Sequence, residues 1–354
     1  MTTIINKLKS LMSPEIEAKA DVKYAVAIPT TETPHFYGRN RSAALLKKYR
    51  TIYQEGGIYT TAVNTYPDFI LKDGYHFEGD DPNLVAAVEQ WSKNFNFYEV
   101  IYEAIIDSLV YGDSYDEIIY GKAGNKVLGI SGRQSWLFET VYDSYNVVLG
   151  YKQFVDGFSK SIEIPTNNIV HLRLLGMSGA PFGISLIGNS YDEILRDTEI
   201  AESSATAIKR HGFPIWQIKV GQSGESVPDA VLDDLEYKFA DIQSKHEIIT
   251  QYDVEILPLN SGGVSGLDVI QKFSIERCLS SMGIPMECIG LGSQTSTYAT
   301  ASVTLEAFNS RISRMRRTIE YAYNTQVIDK VTGIPGAVRL VLDSPMVDGS
   351  LEEE

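Results

Sequence analysis

The chain has 354 residues, 44% of them hydrophobic and 22% charged, enough for two or three domains and too balanced for wholesale disorder. A formal net charge of −15 argues against a dedicated phosphate-gripping surface, which needs clustered Lys and Arg. It leaves room for a surface that nucleic acid passes without being held.

Residues 1–40 read as a flexible arm, rich in Lys, Glu and Thr and ending in IPTTETP. The opening stretch, MTTIINKLKSLMSPEIEAK, has no continuous signal-peptide core, and no run of about 18 apolar residues occurs that could span a membrane. The protein is expected to be soluble and intracellular. SAALLKKYRTIYQ (42–54) predicts a helix stopped by Gly56 and Gly57. In FEGDDPNLVAAVEQW, Asp81 is the expected N-cap with Pro82 at the first helical position, and Leu84, Val88 and Trp91 share one face. The Asp pair after Gly79 could start a calcium loop, but no further ligands follow at regular spacing.

Another helix is expected from Tyr98 to Tyr111. The segments SYDEIIYG, NKVLGI, SWLFETVYD, NVVLGYKQF and NNIVHLRLL then read as short strands, parted by Gly, Asn and Asp as in an antiparallel meander. The first half is thus α+β, helices first and a small sheet after. The second half is helical over 186–210, 227–245, 266–282 and 300–328, with strands only in PIWQIKV and EIITQYDVEILPL. The acidic tail SLEEE is the one segment of low complexity.

PFGISLIGNSYDEILRDTEIAE (181–202) is a Gly-punctuated turn leading into a helix, the layout that cradles phosphates in some enzymes. A P-loop needs Lys followed by Ser or Thr at the helix start, and here Gly188, Asn189 and Ser190 precede Asp192 and Glu193. Carboxylates in the first turn suit the helix dipole and repel phosphate. Ser190 is the expected cap, with Glu193 completing a capping box. Ile187, Tyr191, Ile194, Thr198, Ala201, Ala205 and Ile208 form a narrow seam of about 3.5-residue period, suited to packing against another long helix.

Enzyme signatures are missing elsewhere too. His35, His76, His171, His211 and His246 are scattered, and His171, in the apolar run IVHLRLL, reads as a packing histidine. GISLI and GVSGL lack the final Gly of a nucleophile elbow. Cys278 and Cys288, without a neighbouring His, suit neither a disulfide framework nor a zinc site. Two features stay informative. GIPMECIGLGSQTSTYA (283–299) is a long loop between helices, and such loops are functional, mobile or merely tolerated. The helix after it carries Leu305, Phe308, Ile312, Met315, Ile319 and Ala322 on one seam and a basic cluster, Arg311, Arg314, Arg316 and Arg317, off it. These arginines are expected to pair with acidic groups, in an oligomer those of the next subunit.

In this order the pieces resemble the portal (head–tail connector) proteins of tailed double-stranded DNA viruses, over roughly residues 40–330. The resemblance implies an α+β portal fold. After the arm, 41–184 would be an α/β wing, 185–210 a first stem helix and 211–262 a small clip of strand, helix and strand. A second stem helix (263–285) would end in "GIP", followed by a tunnel loop (286–299) and a long helix returning to the wing (300–330). Residues 331–354 would hold one strand, AVRLVLD, and the acidic tail, leaving the crown minimal or absent.

The same resemblance implies a ring, typically of twelve subunits, at one vertex of the capsid, with double-stranded DNA passing through it during packaging and ejection. Terminase, major capsid protein and head–tail adaptor would be its partners. No cofactor, metal, catalytic group or membrane is implied, and the location would be the virion, with host cytoplasm during assembly. Gln294, Thr295, Ser296 and Thr297 would touch DNA. Trp216, Lys219, Asp233 and Glu236 would belong to the docking surface of the clip. Tyr191, Ile194, Ala201, Ala205, Arg311 and Arg314 would pack subunits together. Twelve copies at −15 each would carry about −180, and an acidic wall lets a polyanion slide where a basic wall would hold it. Two other readings stand beside this one: a virion ring or adaptor without a DNA channel, and a soluble enzyme with an unrecognised site in a concave polar pocket.

Overall fold

The computed structural model describes residues 42–121, 126–143, 145, 147–155, 160–178, 180, 182–212, 217–220, 227–239, 248–251, 266–291 and 298–343. The arm expected at 1–40 lies outside them. The chain divides into two compact units, Met1–Glu193 with Arg277–Glu354, and Ile194–Glu276.

In the first unit, α1 (Ala43–Glu55) starts where Ser42 Oγ accepts the amide of Leu45 at 3.2 Å. α2 (Ile58–Ile70) has no counterpart in the sequence reading. Its string of β-branched residues and its internal Pro67 argue against a helix, and burial of Ala62, Val63, Tyr66 and Ile70 overrides them. β1 (Tyr75–Gly79) was equally hidden, because it pairs antiparallel with β10 (Val338–Leu342), with Phe77 opposite Leu340. α3 (Pro82–Lys93) begins as read: Asp81 Oδ1 accepts from the Asn83 amide at 2.9 Å, with Pro82 in the first turn. α4 (Phe97–Tyr111) ends at Gly112, whose φ of 95° only glycine adopts freely.

The strands correct the expected single meander. β2 (Ser114–Tyr120) pairs antiparallel with both β3 (Val127–Arg133) and β7 (Ile169–Leu172), giving a sheet of order β3-β2-β7. β4 (Phe138–Tyr142), β5 (Val148–Val155) and β6 (Lys160–Pro165) form a separate sheet. β6 was not foreseen, since nearly all of it is exposed and it shows no alternation of buried and exposed residues. Tyr115, Phe138, Tyr151 and Ile169 make one core cluster. A second surrounds Phe97, whose ring lies 5.5–5.6 Å from those of Tyr75, Trp91 and Tyr323.

The helix expected from 186 breaks into α5 (Leu186–Asn189) and α6 (Tyr191–Gly212). Ser190 does not cap: its backbone is near-helical (φ −101°, ψ 6°) and its buried hydroxyl has no partner. Ser185 is the cap, its Oγ accepting from Gly188 N at 2.8 Å. Glu193 reaches sideways to Arg277 Nη2 at 2.8 Å, so no capping box forms. In the second unit, β8 (Gln217–Val220) and β9 (Ile248–Gln251) pair in parallel, with α7 (Asp229–Phe239) between them in the chain. A parallel pair requires such a crossover. Of the helix expected over 227–245, Asp229–Phe239 is helical, and 240–245 lie outside the described residues.

α8 (Leu267–Met282) and α9 (Tyr298–Tyr323) are the remaining long helices. A π turn (Asn324–Ile328) and α10 (Asp329–Thr332) follow α9 and lead to β10. Among the described residues, no helix is long and apolar enough to cross a membrane and no cluster of His, Cys, Asp and Glu could hold a metal ion.

Candidate functional site

The segment joining α8 to α9 is built on two glycine-terminated turns. Gly283 has φ 71°; its amide donates to Ser280 O at 2.9 Å and that of Ile284 to Leu279 O at 3.0 Å. This pair of bonds is a Schellman cap, and Leu279 and Ile284 are both buried as its apolar clasp. Pro285 then prevents the helix from continuing. A 3₁₀ turn (Met286–Ile289) closes in the same manner at Gly290, φ 75°, with the Leu291 amide donating to Met286 O at 3.0 Å. "GIP" is thus the stop signal of α8 and the first anchor of the loop.

Side chains of α2 and α9 hold that anchor. Arg311 Nη1 donates to Gly283 O at 3.0 Å and to Tyr66 OH at 3.1 Å, and the Tyr66 hydroxyl donates to Met282 O at 2.8 Å. A Cβ on Gly283 would lie 1.5 Å from Arg311 Nη1. Burial raises the pKa of Tyr66, and the hydrogen bond from Arg311 pulls against it. Further along, the buried Arg316 donates from Nε to Ile70 O at 2.9 Å and from Nη2 to Phe69 O at 2.7 Å. Its guanidinium satisfies the last carbonyls of α2, where the helix dipole favours a cation. Two members of the basic cluster therefore bind backbone oxygens of their own chain, in place of the carboxylates expected. Arg314 is exposed.

On α9, Phe308, Ile312, Met315, Ile319 and Ala322 are buried, whereas Val303 is 67% exposed. On α8, Cys278, Leu279 and Met282 are buried, whereas Val269 and Ile270 are 65% and 51% exposed. On the α6 seam, Ile194 is buried, Tyr191 is half-buried with its ring 5.9 Å from that of Tyr49, Ala201 is half-buried, and Ala205 and Ile208 are exposed.

Of the other expected site residues, Gln294, Thr295, Ser296, Thr297 and Trp216 lie outside the described residues. Lys219 falls in β8, paired with Thr250, and Glu236 on α7. Asp233 is exposed on α7. Tyr66, Val269 and Ile270 escaped the sequence reading, and Arg316 was read only as one of a basic cluster, not as a buried group. A buried Arg has no periodic signature, and α2 itself was not recognised. His171 Nε2 bonds Asp113 Oδ1 at 2.7 Å and stacks on Tyr115 at 4.8 Å, a satisfied packing histidine. Burial, with Glu287 beside it, pushes the Cys288 thiol up to about 11, far from a reactive thiolate.

The described residues define an α+β protein with long amphipathic helices, open apolar ends and a pinned interhelical turn. Over residues 47–345 the sequence matches the family described as the portal protein of Mu bacteriophage, and the chain belongs to that family. In structure it is similar to a chain of the virion of a native gene transfer agent (GTA) particle, with TM-score 0.60 and 13% identity over 86% of this chain and 84% of that one. It is similar to a chain from the neck of the native GTA particle computed with C12 symmetry, TM-score 0.60 and 12% identity over 88% and 86%. A chain from the neck of the empty GTA particle computed with C6 symmetry gives TM-score 0.61 and 14% identity over 88% and 86%. At such identities the likeness shows the fold. No curated protein matches the sequence.

Proposed function

We propose that the protein forms a homo-oligomeric ring, of about twelve subunits, at one capsid vertex of a virion, and that double-stranded DNA is packaged and ejected through it. The observation that carries this reading is the match to the portal family across residues 47–345. Two physical features support it. The apolar ends of α6, α8 and α9 are left exposed in the single chain, as helices that close a ring against neighbouring copies require. The net charge of −15 per chain gives a wall that phosphate slides past. The C12 and C6 symmetries belong to the neck particles of the similar chains, and a ring of this chain is the corresponding assembly.

In this reading residues 41–184 are the wing, 185–210 and 263–285 the stem helices, 211–262 the clip, and 286–299 the tunnel loop. Gln294, Thr295, Ser296 and Thr297 supply uncharged polar contact to DNA. Trp216, Lys219, Asp233 and Glu236 face terminase or the head–tail adaptor, and the major capsid protein surrounds the ring. Tyr191, Ile194, Ala201, Ala205 and Arg314 pack subunits, and Arg311 does so on its outer side while holding Gly283.

Native mass spectrometry with negative-stain imaging of the purified protein tests the ring. A ring near twelve subunits with a hole wide enough for duplex DNA is expected; a closed dimer or tetramer with no hole overturns the reading. Deleting 292–297 should leave the ring intact and abolish packaging or DNA retention, and loss of the ring would instead remove the loop assignment.

A further inference from the structure

α9 presents a second stripe, opposite the seam that the core covers. Val303, Ala307, Ser310, Arg314, Arg317 and Tyr321 follow one another at steps of four and three, and all are exposed. Those steps keep them on one narrow face, with the spacing of a helix-pairing seam. Their composition is unlike that of a solvated face, which mixes charges of both signs. Val303 and Tyr321 are 67% and 73% exposed, and the stripe positions between them hold small residues and arginines without a carboxylate.

The fold of the single chain leaves those arginines unused. Among the described residues the Arg314 guanidinium makes no hydrogen bond or ion pair, and Arg317 reaches only the Ser313 carbonyl one turn back, at 3.4 Å. From 303 to 321 α9 carries Arg311, Arg314, Arg316 and Arg317 against Glu306 and Glu320, and Glu320 is engaged by the Leu342 amide at 2.8 Å. In a chain of net charge −15 this is a basic face, and its complement is acidic.

α6 carries the matching surface. Between Tyr191 and Ile208 it has five carboxylates against the single Arg196. Its seam repeats the steps of four and three, and the later half is open, with Ala201 half-buried, Ala205 exposed and Ile208 49% exposed. The two stripes agree in length, about 27 Å from Val303 to Tyr321 and about 26 Å from Tyr191 to Ile208, at 1.5 Å per residue. Laid antiparallel with Val303 against Ile208, they match from end to end. Ser310 then meets Ala201 and Ala307 meets Ser204, small residues where two helices approach most closely. Arg314 comes opposite Asp197. A parallel pairing with Val303 on Tyr191 sets Arg317 on Ala205 and Ile208 on Glu320, and it aligns the two helix dipoles unfavourably.

We propose that the outer stripe of α9 is the docking surface for α6 of a second copy, packed antiparallel, with Arg314 of one copy paired to Asp197 of the next. This rests on the ring reading and supplies the pairing that reading leaves open. The contact joins two different surfaces of the chain, so it is head-to-tail: each copy offers α9 to one neighbour and α6 to the other, as closure of a ring requires. Small residues at its centre set the approach, the apolar pair Val303 and Ile208 closes one end, and the arginine–carboxylate pairing fixes direction and register.

The test uses the full-length protein. Ser310→Cys with Ala201→Cys sets two thiols across the contact within disulfide range. Mild oxidation should give a ladder of linked chains on a denaturing gel, running up to the ring number. Ser310→Cys with Glu199→Cys, on the far side of α6 from Ala201, should give none. Arg314→Glu should lose the ring in native mass spectra, and adding Asp197→Arg should restore it. A ring without the ladder, a control pair that cross-links as readily, or a charge reversal that restores nothing overturns the pairing and leaves the ring standing. A ring that survives Arg314→Glu but no longer retains duplex DNA gives the stripe to nucleic acid and overturns the pairing too. An unaltered chain that forms no ring overturns both readings.

Discussion

The two ends of α9 contrast in what satisfies them. From Phe308 to Tyr323 every seam residue is buried, and Arg311 and Arg316 spend their guanidinium groups on carbonyls of the same chain. At the other end Val303 is two-thirds exposed, and α8 repeats the pattern with Val269 and Ile270 open and Leu279 and Met282 covered. An apolar stripe is stable only against another apolar surface, and burying each such side chain is worth about 1.5–3 kcal/mol. The contrast teaches that the covered seam holds the fold together, whereas Val303, off that seam, and Val269 and Ile270 are apolar groups that the single chain leaves open.

Substitutions can break or sharpen that contrast. The deepest loss of stability is expected for Phe97→Ala, which empties the centre of the ring cluster against Tyr75, Trp91 and Tyr323 and should cost about 3–5 kcal/mol in denaturant titration. Arg316→Met keeps the length of the side chain but orphans the carbonyls of Phe69 and Ile70; a loss of about 2–3 kcal/mol is expected, and a loss near zero would show that water replaces the guanidinium. Gly283→Ala forces a side chain into the left-handed region and displaces Arg311, for about 1–2 kcal/mol. That variant should also raise proteolysis within 286–291 before global unfolding.

On the open side the expected stability change shrinks while the assembly effect grows. Val269→Asp with Ile270→Asp should alter the stability of the isolated chain by no more than about 0.5 kcal/mol each, yet abolish the ring in native mass spectra. A ring that survives both would mean these side chains face solvent in the assembly. The smallest effect belongs to His76 on β1, whose Nε2 bonds Glu78 at 3.0 Å and Nδ1 bonds Asp343 at 2.6 Å. The hydrogen bond to Glu78 and the pull of Asp343 raise its pKa against desolvation. A raised histidine stabilises fully below its unfolded pKa and loses that contribution as pH rises through the folded one. His76→Gln should therefore cost a few tenths of a kcal/mol in mild acid and nothing in mild base, the exposed site screening the rest.

What the sequence determined by itself is local. Ser42 and Asp81–Pro82 announce helix starts through a hydroxyl or carboxylate next to free amides, and "GIP" announces the end of α8 through a glycine that tolerates positive φ. The seam of α9 and the order of strand, helix and loop sufficed to suggest the family. The tertiary structure alone decided what depends on distant partners. β1 exists because β10 lies beside it; α2 is helical because its apolar face is buried despite Pro67; and Ser190 yields its cap to Ser185 once the chain bends. The same holds for Arg311, Arg316 and Asp116. Charge, spacing and residue type are identical whether an arginine meets a carbonyl or a carboxylate. Only folding brings Ile70 to Arg316, or Tyr323 to Asp116, because those contacts join segments that no local periodicity connects.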